Sequence, residues 1–207
     1  MCGRFQPSSS AAEIARWFKT TGPAPNLQQR YNAAPTQDLP VVLRDPKSGE
    51  RRLEALRWGL IPFWAKDEKI AYSMINAMAE TVATKPAFRN AFTSRRCLVP
   101  ADGFYEWKKL HAKAKQPYRI AMADGMPMAF AGLWERWRDP ANGETLRTFT
   151  IITTAPNALC APIHNRMPVI VDPVAMSHSY LCDLVTPSAT QGQSRGQSPL
   201  RMWCLTP

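Results

Sequence analysis

Between Cys97 and Thr154 four segments rich in β-branched and aromatic residues follow one another: CLVPADGFYEW, PYRIAMA, MPMAFAGLWERW and LRTFTIITT. The pieces between them are short and turn-forming, such as Ala123-Asp124-Gly125 and Asp139-Pro140-Ala141-Asn142-Gly143. Strands joined by such short turns pair with their neighbours in antiparallel fashion, because a parallel pair needs a crossover of a dozen or more residues. This stretch therefore commits the centre of the chain to a sheet. PVVLR (40–44) and RRLEALRWG (51–59) flank Asp45-Pro46-Lys47-Ser48-Gly49 and predict a further hairpin. MPVIV (167–171) and the closing RMWCL predict two more strands. Helices are few. Ser10 and Glu13 form a capping box ahead of AAEIARWF, with Ile14, Trp17 and Phe18 on one face, which predicts a helix over 11–19. A short helix interrupted at Pro86 is expected within 80–93, and Asp172-Pro173 opens one over about 174–184. Residues 20–37 and 186–199 read as loops, and 60–79 as mostly irregular with one extended piece. The order predicts an α+β fold: one domain over 1–207, a strongly curved, mainly antiparallel, barrel-like sheet, and short flanking helices. With 207 residues and 45% apolar content, the chain is long enough to bury a core.

Twenty-six Lys and Arg against 16 Asp and Glu leave a formal charge of +10. A surplus of this size favours polyanionic partners. The basic residues are dispersed, in pairs such as Arg51-Arg52, Arg95-Arg96 and Lys108-Lys109, which suits a folded surface better than a disordered arm. No apolar run is long enough to span a membrane, and MCGRFQPSSS lacks the apolar centre of a signal peptide, so the expected compartment is the cytosol. The five cysteines are odd in number and form no CxxC, which argues against a disulfide framework or a zinc site. Cys97, Cys160, Cys182 and Cys204 sit among apolar residues and read as small buried side chains.

Cys2 differs by position. Initiator methionine is removed when the next residue is small, and removal of Met1 would leave a free 1,2-aminothiol. An α-amine has a reference pKa of about 7.7–8.0, so a useful fraction is neutral at pH 7. A neutral amine condenses with an aldehyde to an imine, and the neighbouring thiol can close a five-membered thiazolidine. Position alone does not separate this from an incidental second residue. Trp58, Trp64, Tyr105, Trp107, Trp134 and Trp137 intermix with Arg57, Lys66, Lys108, Arg136 and Arg138, as on a surface where bases stack and cations hold phosphates. Aromatic residues in strands also fill cores, and Trp64 is the strongest stacking candidate. His164 lies at a loop–strand junction beside Asn165 and Arg166, whose guanidinium suits a phosphate. Glu106, between Tyr105 and Trp107, is either a desolvated carboxyl fit for acid–base work or an outward residue paired with Lys108 or Lys109. Asn76 in MINAM offers a neutral donor and acceptor, or simply a turn residue.

Joined in order, MCGRF, RYNAAPTQ (30–37), RWGLIPFWAKD (57–67), INAMAET (75–81), CLVPADGFYEWKK (97–109), TFTIITTAPN (148–157) and IHNRMPVIV (163–171) resemble the SOS response-associated peptidase (SRAP) family. The resemblance covers roughly residues 1–175 and then fades, so an atypical or truncated carboxyl-terminal part is expected from there. It implies a curved sheet with short helices and a protein that senses abasic sites in single-stranded DNA and links to them covalently through Cys2. By the same resemblance, Asn76 orients the sugar or the terminal amine, Glu106 shuttles protons, and His164 protonates the sugar oxygen. Arg4, Asn32, Trp64, Thr153 and Arg166 then fall at DNA- or site-lining positions. Two departures stand out: Met78 replaces the family's arginine in INAR, and the chain stops just after RMWCL. The resemblance further implies a DNA-damage (SOS) role near the nucleoid, no cofactor or metal, a monomer, and weak strand cleavage by β-elimination from the imine. The alternatives are a thiol autopeptidase or hydrolase using Cys2, and a non-covalent single-strand binder.

Overall fold

The computed structural model describes residues 2–112, 114–171 and 200–205. In chain order these form β1 (Phe5–Gln6), α1 (Ala11–Phe18), β2 (Asp38–Arg44), β3 (Arg51–Trp58), a short 3-10 helix (Glu68–Ser73), β4 (Asn76–Met78) and α2 (Arg89–Ser94). There follow β5 (Arg96–Ala101), β6 (Gly103–His111), β7 (Ala114–Met122), β8 (Met128–Arg138), β9 (Thr145–Thr154), β10 (Met167–Pro168), β11 (Ile170–Val171) and β12 (Leu200–Cys204).

The strands make two sheets. The smaller runs β1-β6-β7-β12, all antiparallel. In the larger, β9-β3-β2-β5-β8 is closed by a further pairing of β8 with β9, so five strands form a ring. β10 and β11 add short antiparallel pairings to β9 and β8, while β3 and β4 each lie parallel to β9. The expected α+β architecture with a strongly curved sheet and short helices is the one observed.

Local rules account for most elements. Ser10 Oγ accepts the Glu13 backbone N–H while Glu13 reaches back to the Ser10 N–H, completing the expected capping box, and Ile14 and Phe18 bury against Val42 and Leu53. Gly59 ends β3 at φ 118°, and a Cβ there would sit 2.8 Å from the Ala71 carbonyl oxygen, so only glycine lets the chain turn against the 3-10 helix. The core between the two sheets centres on Phe5, whose ring meets Trp58 and Phe130 edge-on at 5.1 and 5.8 Å, with Phe104 against Phe130 at 5.9 Å. Burying one such side chain contributes about 2–3 kcal/mol, enough to pin the two-residue strand β1 to the body.

Several expectations change. CLVPADGFYEW is two strands, broken at Asp102, where the chain leaves the ring for the smaller sheet. MPVIV divides at Val169, which bonds Ile152 on one side and Ala131 on the other. Residues 79–88 are largely turns, with α2 only after them. Trp58 and Trp137 are core residues, and Cys204 is exposed rather than buried. The helix expected over 174–184, the loop over 186–199 and Cys182 lie outside the described residues.

Candidate active site

The amino-terminal segment reaches the site by register. Phe5 pairs with Phe104 and Gln6 with Gly103, so each step back along β1 advances one residue along β6, and the residues before Phe5 arrive beside Tyr105 to Trp107. The Tyr105 N–H donates to the Arg4 carbonyl at 3.0 Å, extending the pairing past the strand itself. Asp102 holds the outgoing chain. Its carboxylate accepts the Ser8 N–H (2.7 Å), the Ser8 hydroxyl (3.0 Å), the Ser9 N–H (2.8 Å) and the Ser9 hydroxyl. Arg119 donates to Gln6 Oε1 at 2.7 Å and to the Asp102 carbonyl at 3.1 Å, tying the same corner to β7.

Cys2 is delivered fully buried. Asn76, the first residue of β4, donates through Nδ2 to the Cys2 carbonyl at 2.9 Å, while its Oδ1 is buried with no hydrogen-bond partner. Glu106 is 3% exposed, because the pleat of β6 turns it inward and leaves Trp107 38% exposed on the other face. Burial pushes the Glu106 carboxyl up to about 7, against the lowering effects of the positive chain terminus and the Trp107 backbone N–H. Burial, then the Glu106 charge, drives the Cys2 thiol far above its ordinary range, so the sulfur keeps its proton. Cys160 feels the same two influences in the same order and is pushed up to about 11. His164 follows the turn that begins at Asn157. Burial first, then the positive chain terminus, lowers its pKa, opposed by the contact with the Arg166 backbone. Of the residues nominated from the sequence, Asn76 thus bonds Cys2 directly and the charge of Glu106 reaches it.

The five lining positions divide. Arg4 and Asn32 form an exposed pair, Arg4 donating to Asn32 Oδ1 at 3.2 Å. Trp64 is 49% exposed, beside the exposed Phe63. Thr153 has no accessible surface, so any part it plays is internal: its carbonyl accepts Arg166 at 2.5 Å. Arg166 is held by both oxygens of Glu80 at 2.8 and 2.9 Å, with its side chain 14% exposed. Met78, where the resemblance implies arginine, is 40% exposed. Sequence reasoning passed over Asp102, Glu80 and Cys160. The Pro-Ala-Asp-Gly run signalled a turn at Asp102, but nothing local reveals that its carboxylate collects donors more than ninety positions away.

The fold thus carries Cys2 to the carboxamide of Asn76, beside a buried carboxyl. The chain belongs to the SOS response associated peptidase (SRAP) family, which it matches over residues 1–199. It is 50% identical over 173 residues to the abasic site processing protein YoqW of Bacillus subtilis, covering 83% of this chain and 76% of that one. It is 46% identical over 198 residues to YoaM of the same organism (90% and 86% covered), and 35% identical over 178 residues to HMCES of Xenopus tropicalis (73% and 53%). Among solved structures, a Bacteroides thetaiotaomicron protein superposes with a TM-score of 0.83 at 26% identity, covering 99% of this chain and 92% of that one. A Bordetella bronchiseptica protein does so with a TM-score of 0.81 at 25% identity, covering 99% and 100%.

Proposed function

We propose that this protein senses abasic sites in single-stranded DNA and joins them covalently through Cys2. The observation that carries the reading is the pairing of Asn76 with the Cys2 carbonyl in the field of a Glu106 carboxyl that titrates near neutrality. Relatives named as abasic site processing proteins support it.

Loss of Met1 frees the Cys2 nitrogen as an amine. That amine attacks C1′ of the open-chain sugar, whose opening His164 assists by donating to the ring oxygen. Glu106, poised at about 7, takes the proton lost by nitrogen and returns one to the departing hydroxyl, so that water leaves and an imine forms. The thiol then adds across the C=N bond, sulfur to C1′ and hydrogen to nitrogen, closing the thiazolidine. A buried, protonated sulfur beside a carboxylate is a poor first nucleophile, which sets the order as amine before thiol. Until the ring closes, the imine permits β-elimination, so weak strand cleavage accompanies the main path. Arg4, Asn32 and Trp64 supply the exposed cation, amide and ring for the strand on either side.

The test is incubation of the full chain with a single-stranded oligonucleotide carrying one abasic site. The expected product is a heat-stable adduct whose mass equals protein without Met1 plus DNA minus one water. Absence of any adduct, or an equally stable one from Cys2→Ala, overturns the proposal.

A further inference from the structure

We propose that Tyr31 is a stacking platform for a nucleobase of the bound single strand, set beside the reactive terminus. The proposal deepens the reading above and rests on it for the nature of the strand.

An aromatic ring left in water forgoes the burial that usually favours it, and Tyr31 is 66% exposed. Its backbone, by contrast, is firmly held. The Arg30 N–H donates to the Pro7 carbonyl at 3.1 Å, and the Tyr31 carbonyl accepts the Tyr105 hydroxyl at 2.7 Å. Asn32 Oδ1 accepts Arg4 at 3.2 Å, and Ala33, which has no accessible surface, exchanges backbone bonds with Phe5 at 2.8 and 3.4 Å. Residues 30 to 33 are thus each bonded either to the arm that carries Cys2 or to β6. Tyr105 serves both sides of this junction. Its N–H donates to the Arg4 carbonyl while its hydroxyl reaches Tyr31, so one residue of β6 holds the Arg4–Asn32 pair in place. Burial raises the Tyr105 hydroxyl above its ordinary value, against the lowering charge of Arg119, so it keeps the proton it donates.

The surroundings select the ligand. Bases of a single strand stack on a tyrosine ring whatever their identity, while neighbouring cations and amides hold the backbone. Tyr31 has the exposed Arg4–Asn32 pair beside it, and Arg4 is two residues from Cys2, about 7 Å of extended chain. That spacing puts the ring next to the reactive residue rather than on it, where a base flanking the missing one would lie. A ring on a fastened backbone loses little further freedom when a base covers it, so the stacking is realised as affinity.

The experiment measures binding of a fluorescein-labelled single-stranded oligonucleotide lacking the lesion to the full chain, by anisotropy over a series of salt concentrations. Tyr31→Ala, checked for a parent-like melting temperature, should weaken binding on the order of tenfold. The slope of log affinity on log salt should stay as in the parent, because the ring carries no charge. Tyr31→Phe, which keeps the ring, should restore the affinity. Tyr105→Phe, which removes only the fastening hydroxyl, should weaken binding several-fold at the parent's salt slope. In a second measurement 2-aminopurine is placed on either side of a tetrahydrofuran analogue of the abasic site. Its emission should fall on binding to the parent and to Tyr31→Phe, and fall less with Tyr31→Ala at one of the two positions. Parent-like affinity of Tyr31→Ala overturns the proposal. So does a salt slope lowered by about 0.7 in that variant, which would make Tyr31 a support for a phosphate contact of Arg4. Equal weakening by Tyr31→Phe also overturns it, by assigning the effect to the hydroxyl. If the parent forms no adduct with a true abasic strand while Tyr31→Ala still loses affinity for intact DNA, the covalent reading fails and the platform stands.

Discussion

The two sheets hold their shares of the site by different means. The larger sheet contributes Asn76 from β4, and its β10 begins just after the turn that carries His164. Its strands are continuous backbone ladders packed on an apolar core, and β4 alone pairs with β9 over three residues. The smaller sheet contributes Cys2 and Glu106. There β1 is only two residues long, and its place depends on Phe5 inside and on the polar corner of Asp102, Gln6 and Arg119 outside. The Asn76 carboxamide is thus set by the fold as a whole, while Cys2 is set by a few contacts. Substitutions near the terminus should cost chemistry more than stability, and those in the ring the reverse.

The largest effect that sharpens this contrast is expected at the sulfur. Cys2→Ala should abolish the heat-stable adduct, seen by denaturing electrophoresis, and leave the melting temperature within a few degrees of the parent. Next, Glu106→Gln should slow adduct formation by about 100-fold or more, the scale of a positioned acid–base group. It also has a signature in stability. A carboxyl whose folded-state value is about 7, above its unfolded one, is protonated in the native protein at pH 5, and stability falls as pH rises through 7. Melting curves at pH 5 and 8 should differ by several degrees more in the parent than in Glu106→Gln, at about 2–4 °C per kcal/mol. A pH-independent difference between the two would remove Glu106 from its buried setting.

Asp102→Ala breaks the comparison from the other side, because it loosens the outgoing chain without touching the reacting groups. With several hydrogen bonds to a charged acceptor lost, unfolding in urea should show about 2–3 kcal/mol less stability, and adduct formation should slow along with it. If stability falls and the rate does not, β1 is held by Phe5 alone. The smallest change is expected at the rim. Arg4→Gln should lower the dependence of log affinity on log salt by about 0.7 on a single strand, one phosphate contact, measured with an oligonucleotide lacking the lesion.

The parts legible in the sequence are those written in short range. The strand series from Cys97, the Asp45–Gly49 hairpin and the Ser10–Glu13 capping box each depend on residues within a dozen positions, and each is present. Curvature was foreseeable in kind, but not that β9 would lie parallel beside β3 and close the ring. That closure needs pairings such as Trp58 with Phe149, ninety-one positions apart. The same limit applies to the site. Cys2, Asn76, Glu106 and His164 could be nominated from chemistry and resemblance, and of these the structure bonds Asn76 to Cys2. Arg166 suits a phosphate by its type, and nothing adjacent to it announces the pairing with Glu80, eighty-six positions earlier. Cys204 looked buried by its neighbours and is exposed on the outer strand of the smaller sheet.

The pairing of Phe5 with Phe104 carries a further consequence. The distance from that anchor to the reactive residue is counted in peptide units, and no loop intervenes to absorb an error. Adding or deleting one residue between Cys2 and Phe5 would shift the terminus by about 3.4 Å and turn it to the opposite side of the strand. On the proposed reading, such a change would part the Cys2 amine from Glu106 while leaving the rest of the fold as it is.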